Sequence, residues 1–143
     1  MRPLGVTLIG CYQILRGVVG ILFGLSLMLF TGLAAKLASL AAEGNATGRF
    51  FGGFGHIAGL VIILFAALHL VAGYGVLRMQ NWGRLLTLFF SAFGLALLLP
   101  VMVVVHGIPL IFGIINAAII FYLATPAVKR AFHEQHSSLR VAA

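Results

Sequence analysis

The feature that most constrains the fold is the absence of any charged residue between Leu85 and Val128. A transmembrane helix needs about 20 apolar residues, so this stretch is too long for one span. Gly107 and Pro109 divide it, since both residue types are typical of a tight turn. Two more apolar runs precede this stretch. The chain therefore predicts four membrane-spanning helices, over about residues 4–31, 53–77, 82–105 and 108–125.

The composition fits this class of protein. Of the residues, 62% are hydrophobic and 8% are charged, and the mean hydropathy is +1.18. Globular domains carry roughly 25% charged residues, so a soluble fold of this length is excluded. We predict an all-α membrane protein. Residues 1–128 would form an up-down bundle of four transmembrane helices, and residues 129–143 would form a basic cytoplasmic tail.

The distribution of lysine and arginine predicts the orientation. Lys36 and Arg49 flank one set of span ends. Six cations flank the other set, namely Arg2, Arg78, Arg84, Lys129, Arg130 and Arg140. Cytoplasmic loops carry the excess of Lys and Arg, so both termini are predicted to be cytoplasmic. The cations behind the net charge of +7 are then expected to set the orientation and to contact anionic lipid headgroups. No nucleic-acid partner is expected.

Aromatic and basic residues at the span ends predict interfacial anchors. Trp82 stands between two arginines in the connection that follows the second span, and an amphipathic ring suits the headgroup layer. Two cations after the fourth span fit the same layer. The predicted anchors are Arg78, Trp82, Arg84, Lys129 and Arg130.

The first loop, over about residues 32–52, is the longest predicted connection. Leu33, Leu37 and Leu40 recur in it at helical spacing beside Lys36. This spacing predicts a short helix that lies in the membrane interface.

Arg16 is the main functional lead, because it lies inside the first apolar run. The two acidic residues, Glu43 and Glu134, fall outside such runs. A charge at bilayer depth costs at least about 2.5 kcal/mol, so it usually faces protein, water or a ligand. A buried polar cluster is predicted from Gln13, Arg16, His69 and Asn116. It is a candidate for structural hydrogen bonding, for binding a lipid or quinone headgroup, or for solute passage.

Small residues align on one face of each predicted span. In the first span, Gly20 and Gly24 form a GxxxG pair, which lets helix backbones approach closely in lipid. The glycines predicted to pack between helices are Gly17, Gly20, Gly24, Gly55, Gly59 and Gly113. These faces predict packing within the chain, docking of another chain, or both.

Metal and cofactor signals are weak. His56 and His106 lie near the outer ends of different spans, so a haem with two axial histidines is an alternative to the absence of any cofactor. Cys11 is the single cysteine, which excludes an intrachain disulfide. No buried carboxylate or nucleophile arrangement favours catalysis, so the chain is predicted not to be an enzyme.

Three hypotheses about function follow. The first is a membrane protein that acts through helix contacts, as an accessory subunit of a larger complex or as a homo-oligomer. The second is a small transporter or pore with a polar site around Arg16. The third is a subunit that binds haem, quinone or lipid.

Three stretches carry a family resemblance: Arg2–Thr7, Gly73–Arg84 and Tyr122–Phe132. Together they resemble a broad group of small uncharacterised bacterial four-helix integral membrane proteins. The resemblance implies a multi-pass protein of the bacterial inner membrane, and it supplies no functional residues. Arg16 departs from that group, where a small residue is usual.

Overall fold

The computed structural model describes residues 3–41, 46–104 and 107–132. Within these ranges the chain is helical and contains no strand. The first four helices are α1 (Leu4–Ala41), α2 (Ala46–Leu77), α3 (Asn81–Val104) and α4 (Ile108–Ala124). A short fifth helix, α5, covers Pro126–Phe132. Arg2, Glu43, Glu134, His106 and the tail from residue 133 onward lie outside the described residues.

Three of the helices are long and apolar enough to cross a membrane, over Leu4–Leu40, Gly52–Leu77 and Asn81–Met102. A fourth candidate span is the pair formed by α4 and α5, which is bent by 66°. The prediction of an all-helical, multi-pass membrane protein is confirmed at this level. Lipid offers the backbone no hydrogen-bond partners, so an apolar chain of this kind satisfies its own N–H and C=O groups by forming helices.

The first connection is shorter than the sequence predicts. Helix α1 continues through the predicted loop to Ala41, and α2 begins at Ala46. The segment after Gly32 is rich in alanine and leucine and contains no proline, so its intrinsic propensity favours helix. The predicted short interfacial helix is therefore a continuation of α1, which measures about 57 Å at 1.5 Å per residue.

A Schellman motif ends α2. The N–H of Gln80 donates to the carbonyl of Gly75 at 2.9 Å, and the N–H of Met79 donates to that of Val76 at 2.9 Å. Met79 takes the left-handed conformation, with φ 54°. Glycine usually occupies this position, because the conformation costs about 1–2 kcal/mol for other residues. Burial of the Met79 side chain in the apolar core offsets that cost.

Helices α3 and α4 pack against each other. Helix α3 continues through Pro100, and Gly107 with φ 102° precedes α4. Helix α4 ends where Thr125 adopts extended backbone angles, φ −61° and ψ 142°. The residue before a proline is driven out of the helical region, and Pro126 then begins α5.

The first residues of the predicted tail continue in a helix. Residues 129–132 belong to α5, whose side chains Val128 and Phe132 are buried in the apolar core. Lys129 and Arg130 remain exposed. The charged residues of this segment predicted a solvated tail. However, Val128 and Phe132 are four residues apart, so they lie on one face of the helix, and that face packs against the core.

The described chain forms two compact units. The hairpin unit is Leu15–Leu70, which contains parts of α1 and α2. The core unit contains the described residues of Met1–Ile14 and Val71–Ala143. The apolar core lies in the core unit and includes Val6, Val76, Ile119, Leu123 and Phe132.

Candidate functional site

The core unit buries several polar side chains at its centre. Thr87 and Asn116 are fully buried, and Gln13 and Ser91 are almost so. They come from α1, α3 and α4, and Thr87 and Ser91 share one face of α3 at a spacing of four residues. The sequence analysis placed Gln13 and Asn116 in the polar cluster. Their association with Thr87 and Ser91 in one unit emerges from the fold.

Among the residues that the structure describes, two buried hydroxyl groups have no hydrogen-bond partner, namely the Oγ1 of Thr87 and the phenolic oxygen of Tyr12. Thr31, by contrast, donates to the carbonyl of Leu27 at 2.7 Å. Ser26, Ser39 and Thr125 likewise donate to main-chain carbonyls three or four residues earlier. A buried hydroxyl without a partner costs about 1–3 kcal/mol. These two groups are therefore a local source of instability in the core unit.

Thr87→Val is expected to raise the free energy of unfolding by about 1 kcal/mol, because valine keeps the shape and removes the unpartnered hydroxyl. Unfolding by a denaturing detergent, followed by circular dichroism, measures the change. Thr31→Val is the matched control and should give no gain, since it removes a hydrogen bond that the structure contains. A loss of stability in Thr87→Val would show that its hydroxyl has a partner.

Arg16 and His69 both lie in the hairpin unit, where they interact electrostatically. His69 is buried with 9% exposure, and Arg16 is half-buried. The structure thus brings together two members of the predicted polar cluster within this unit. The other two members, Gln13 and Asn116, belong to the core unit.

Among the predicted anchors, Arg84 differs from the others. The guanidinium of exposed Arg78 lies 5.2 Å from the ring centroid of Tyr74, and exposed Trp82 donates its indole N–H to Gln80. Arg84 is only 7% exposed. It donates from Nε to Asn81 at 3.1 Å and from a terminal nitrogen to the carbonyl of Leu123 at 3.4 Å.

The contact between Arg84 and α4 has an electrostatic reason. The last carbonyls of a helix lack intrahelical partners and carry partial negative charge, so a cation there is stabilising. Leu123 lies in the last turn of α4. Arg84 thus holds α3 to the end of α4. Its charge alone, in the sequence, did not reveal this role.

The predicted packing glycines lie at close helix contacts. In the hairpin unit, a Cβ added to Gly17 would lie 2.8 Å from the Ala66 carbonyl oxygen, and one on Gly20 would lie 2.8 Å from the Ala66 Cβ. A Cβ on Gly24 would lie 2.9 Å from the Gly59 carbonyl oxygen, and one on Gly55 would overlap Thr31. In the core unit, a Cβ on Gly113 would lie 2.6 Å from the Met102 sulfur. These glycines therefore allow close helix packing within each unit.

The described residues contain no group of three or more His, Cys, Asp or Glu side chains that could hold a metal ion. The haem hypothesis pairs His56 with His106, which lies outside the described residues, so it stays a prediction. Cys11 is exposed.

Comparison of the chain with protein-family models, with curated proteins and with solved structures gives no significant match to any of them.

Proposed function

We propose that this chain is a non-enzymatic integral membrane protein that acts through helix–helix contacts, as an accessory subunit of a membrane complex or as a homo-oligomer. The contact surface is the carboxyl end of α1. There Leu33, Leu37 and Leu40 lie on one face at spacings of four and three residues, and all three are more than half exposed.

The position of this surface supports the proposal. A Cβ on Gly52, which begins the candidate span of α2, would contact the Cβ of Ala35. The start of the α2 span is therefore level with Ala35, and Leu37 and Leu40 extend past it, at the far end of the α1 candidate span Leu4–Leu40. Leu40 is 83% exposed. Exposed apolar side chains that extend past the neighbouring span favour a partner chain as their cover.

Gentle purification should yield a protein whose mass exceeds that of one chain. The double variant Leu37→Gln/Leu40→Gln is expected to reduce this mass to that of one chain, because it removes apolar contact area without altering buried residues. Light scattering in detergent, with the detergent mass subtracted, measures the change. Ala34→Gln, an exposed position off the leucine face, is the matched control. A monomeric, partner-free wild type would refute the proposal.

For topology, we propose four spans with both termini in the cytoplasm of a bacterial cell, the pair α4–α5 forming the last span. The six-to-two cation distribution and the resemblance to small bacterial four-helix proteins support this arrangement. Cytoplasmic placement puts the exposed Lys129 and Arg130 at the anionic inner leaflet.

Cysteine accessibility tests the orientation, in a background where the native cysteine is replaced by Cys11→Ala. Introduced cysteines at Ala46 and Gly107 are expected to react with an impermeant reagent in intact cells, because both positions follow outer span ends. Ser137→Cys should react only after the cells are opened. Labelling of Ser137→Cys from outside would reverse the proposed orientation.

A further inference from the structure

A cavity of about 610 Å³ lies in the hairpin unit, between the carboxyl end of α1 and the start of the candidate span of α2. Leucine, methionine, alanine and glycine residues form most of its wall, and Lys36 and His56 add a charged and a polar group. The volume falls in the range of about 300–1,000 Å³ that is usual for small-molecule sites. This site is separate from the buried polar residues. It shares Leu33 with the proposed contact surface but does not include Leu37 or Leu40.

Two contacts fix the ring of His56. Its Nδ1 lies 2.9 Å from the carbonyl oxygen of Gly52. A carbonyl oxygen can only accept, so Nδ1 carries a proton and donates. The ring also rests against Gly32, where an added Cβ would lie 3.1 Å from the ring Cε1. These contacts leave Nε2 as the ring nitrogen available to a ligand.

The position of the cavity along the candidate spans indicates that it lies at the headgroup layer. Gly52, Gly53 and His56 occupy the first two turns of the candidate span Gly52–Leu77. Met28 and Leu29 lie about two turns before Lys36 on α1, toward the middle of the α1 candidate span. The polar groups of the cavity are therefore at the membrane boundary, and its apolar wall extends into the hydrocarbon.

We propose that this cavity binds a membrane lipid with an anionic, phosphate-bearing headgroup. The Lys36 ammonium donates to the phosphate, and charge-assisted hydrogen bonds of this kind are roughly twice as strong as neutral ones. The unprotonated Nε2 of His56 accepts a hydrogen bond from a hydroxyl group of the headgroup. An acyl chain lies along Met28, Leu29 and Leu33. The amphiphilic lining fits a lipid better than a soluble anion, because more than half of the wall is apolar.

Native mass spectrometry of the full chain in detergent tests the proposal, with phosphatidylglycerol and phosphatidylcholine as probes. Phosphatidylglycerol is expected to bind the wild-type chain at least about tenfold more tightly than phosphatidylcholine does. Lys36→Met/His56→Phe should weaken phosphatidylglycerol binding about tenfold. The control variant Lys129→Met/Arg130→Met removes two exposed cations outside the cavity. It should leave the affinity for phosphatidylglycerol unchanged. Wild-type affinity in the Lys36/His56 variant would overturn the proposal.

A steric variant supplies an independent test. A Cβ on Gly53, which lines the cavity, meets no atom within 4 Å, so we expect the side chain of Gly53→Leu to occupy part of the cavity. It is expected to weaken phosphatidylglycerol binding about tenfold, whereas Gly53→Ala should have a smaller effect. Should Gly53→Leu lose helicity, the Lys36/His56 variant decides alone.

Glycerol 3-phosphate is the third probe, because it carries the headgroup chemistry without acyl chains. It is expected to bind at least about a hundredfold more weakly than phosphatidylglycerol, since it leaves the apolar wall uncovered. Equal affinity would assign the site to a soluble phosphate compound and overturn the lipid proposal. This outcome is distinct from failure of the proposed helix contact, since Leu37→Gln/Leu40→Gln leaves the cavity-lining residues in place.

Discussion

Gly83→Ala is expected to destabilise the core unit by about 3 kcal/mol or more. This is the largest effect that we predict for a substitution that adds a single methyl group. The added Cβ would lie 2.6 Å from the Cα of Gly75 and 2.6 Å from the backbone nitrogen of Val76. Both are main-chain atoms, so no side-chain rotation relieves the overlap. Helices α2 and α3 would have to separate beside the turn that joins them.

Unfolding by a denaturing detergent measures this loss, with circular dichroism as the signal. Gly53→Ala is the matched control, because the same methyl group meets no atom within 4 Å there. The control should be neutral or slightly stabilising, since alanine favours helix by about 1 kcal/mol over glycine. Equal stability of Gly83→Ala and Gly53→Ala would contradict the close backbone approach at Gly83.

The second large effect is expected for Gly59→Leu, which should separate α1 from α2 in the hairpin unit. A Cβ at this position would lie 2.8 Å from the carbonyl oxygen of Gly24 and would overlap Met28. Met28 can change its rotamer, but the Gly24 carbonyl belongs to the backbone of α1. The expected cost is about 3 kcal/mol, the upper end of the usual range for overpacking.

Gly53→Leu is the control for this experiment, because it adds the same side chain to the same helix at a position where a Cβ meets no atom within 4 Å. Unfolding by a denaturing detergent, followed by circular dichroism, provides the readout. Gly59→Leu should lose about 3 kcal/mol of unfolding free energy, whereas Gly53→Leu should lose much less. Equal stability of the two variants would show that α1 and α2 tolerate the larger side chain.

Several elements were predictable from local signals. Gly107 and Pro109 correctly indicated where α4 begins, because a glycine at φ 102° and a proline in the first helical turn are local requirements of the backbone. The end of α4 before Pro126 follows from the same kind of steric restriction. The helical state of the apolar runs follows from the absence of water in a bilayer.

The length of α1 and the role of α5 were not predictable from apolar runs. The segment around Lys36 was assigned to a loop because a span needs only about 20 residues, yet helix propensity continues beyond the membrane limit. Phe132 was assigned to a basic tail because its neighbours Lys129 and Arg130 are charged. Its burial depends on the core surface that the other helices present.

The polar residues show the same division. The sequence identified Gln13, Arg16, His69 and Asn116 by their type and depth in the apolar runs. It did not separate them into two units, and it did not distinguish Arg84, which binds the end of α4, from exposed Arg78. Nor did it single out the hydroxyls of Tyr12 and Thr87, whose partners depend on which helix lies opposite.

By itself, the sequence determined that the chain is helical, apolar enough to cross a membrane three or four times, and interrupted at Gly107 and before Pro126. Those properties depend on short-range sterics and on the transfer of side chains to lipid, which act on each segment separately. Only the tertiary structure decided which glycines face one another, which cation is buried and where Lys36 and His56 enclose a cavity. These outcomes depend on the rotation and register of one helix against another, which no segment specifies alone.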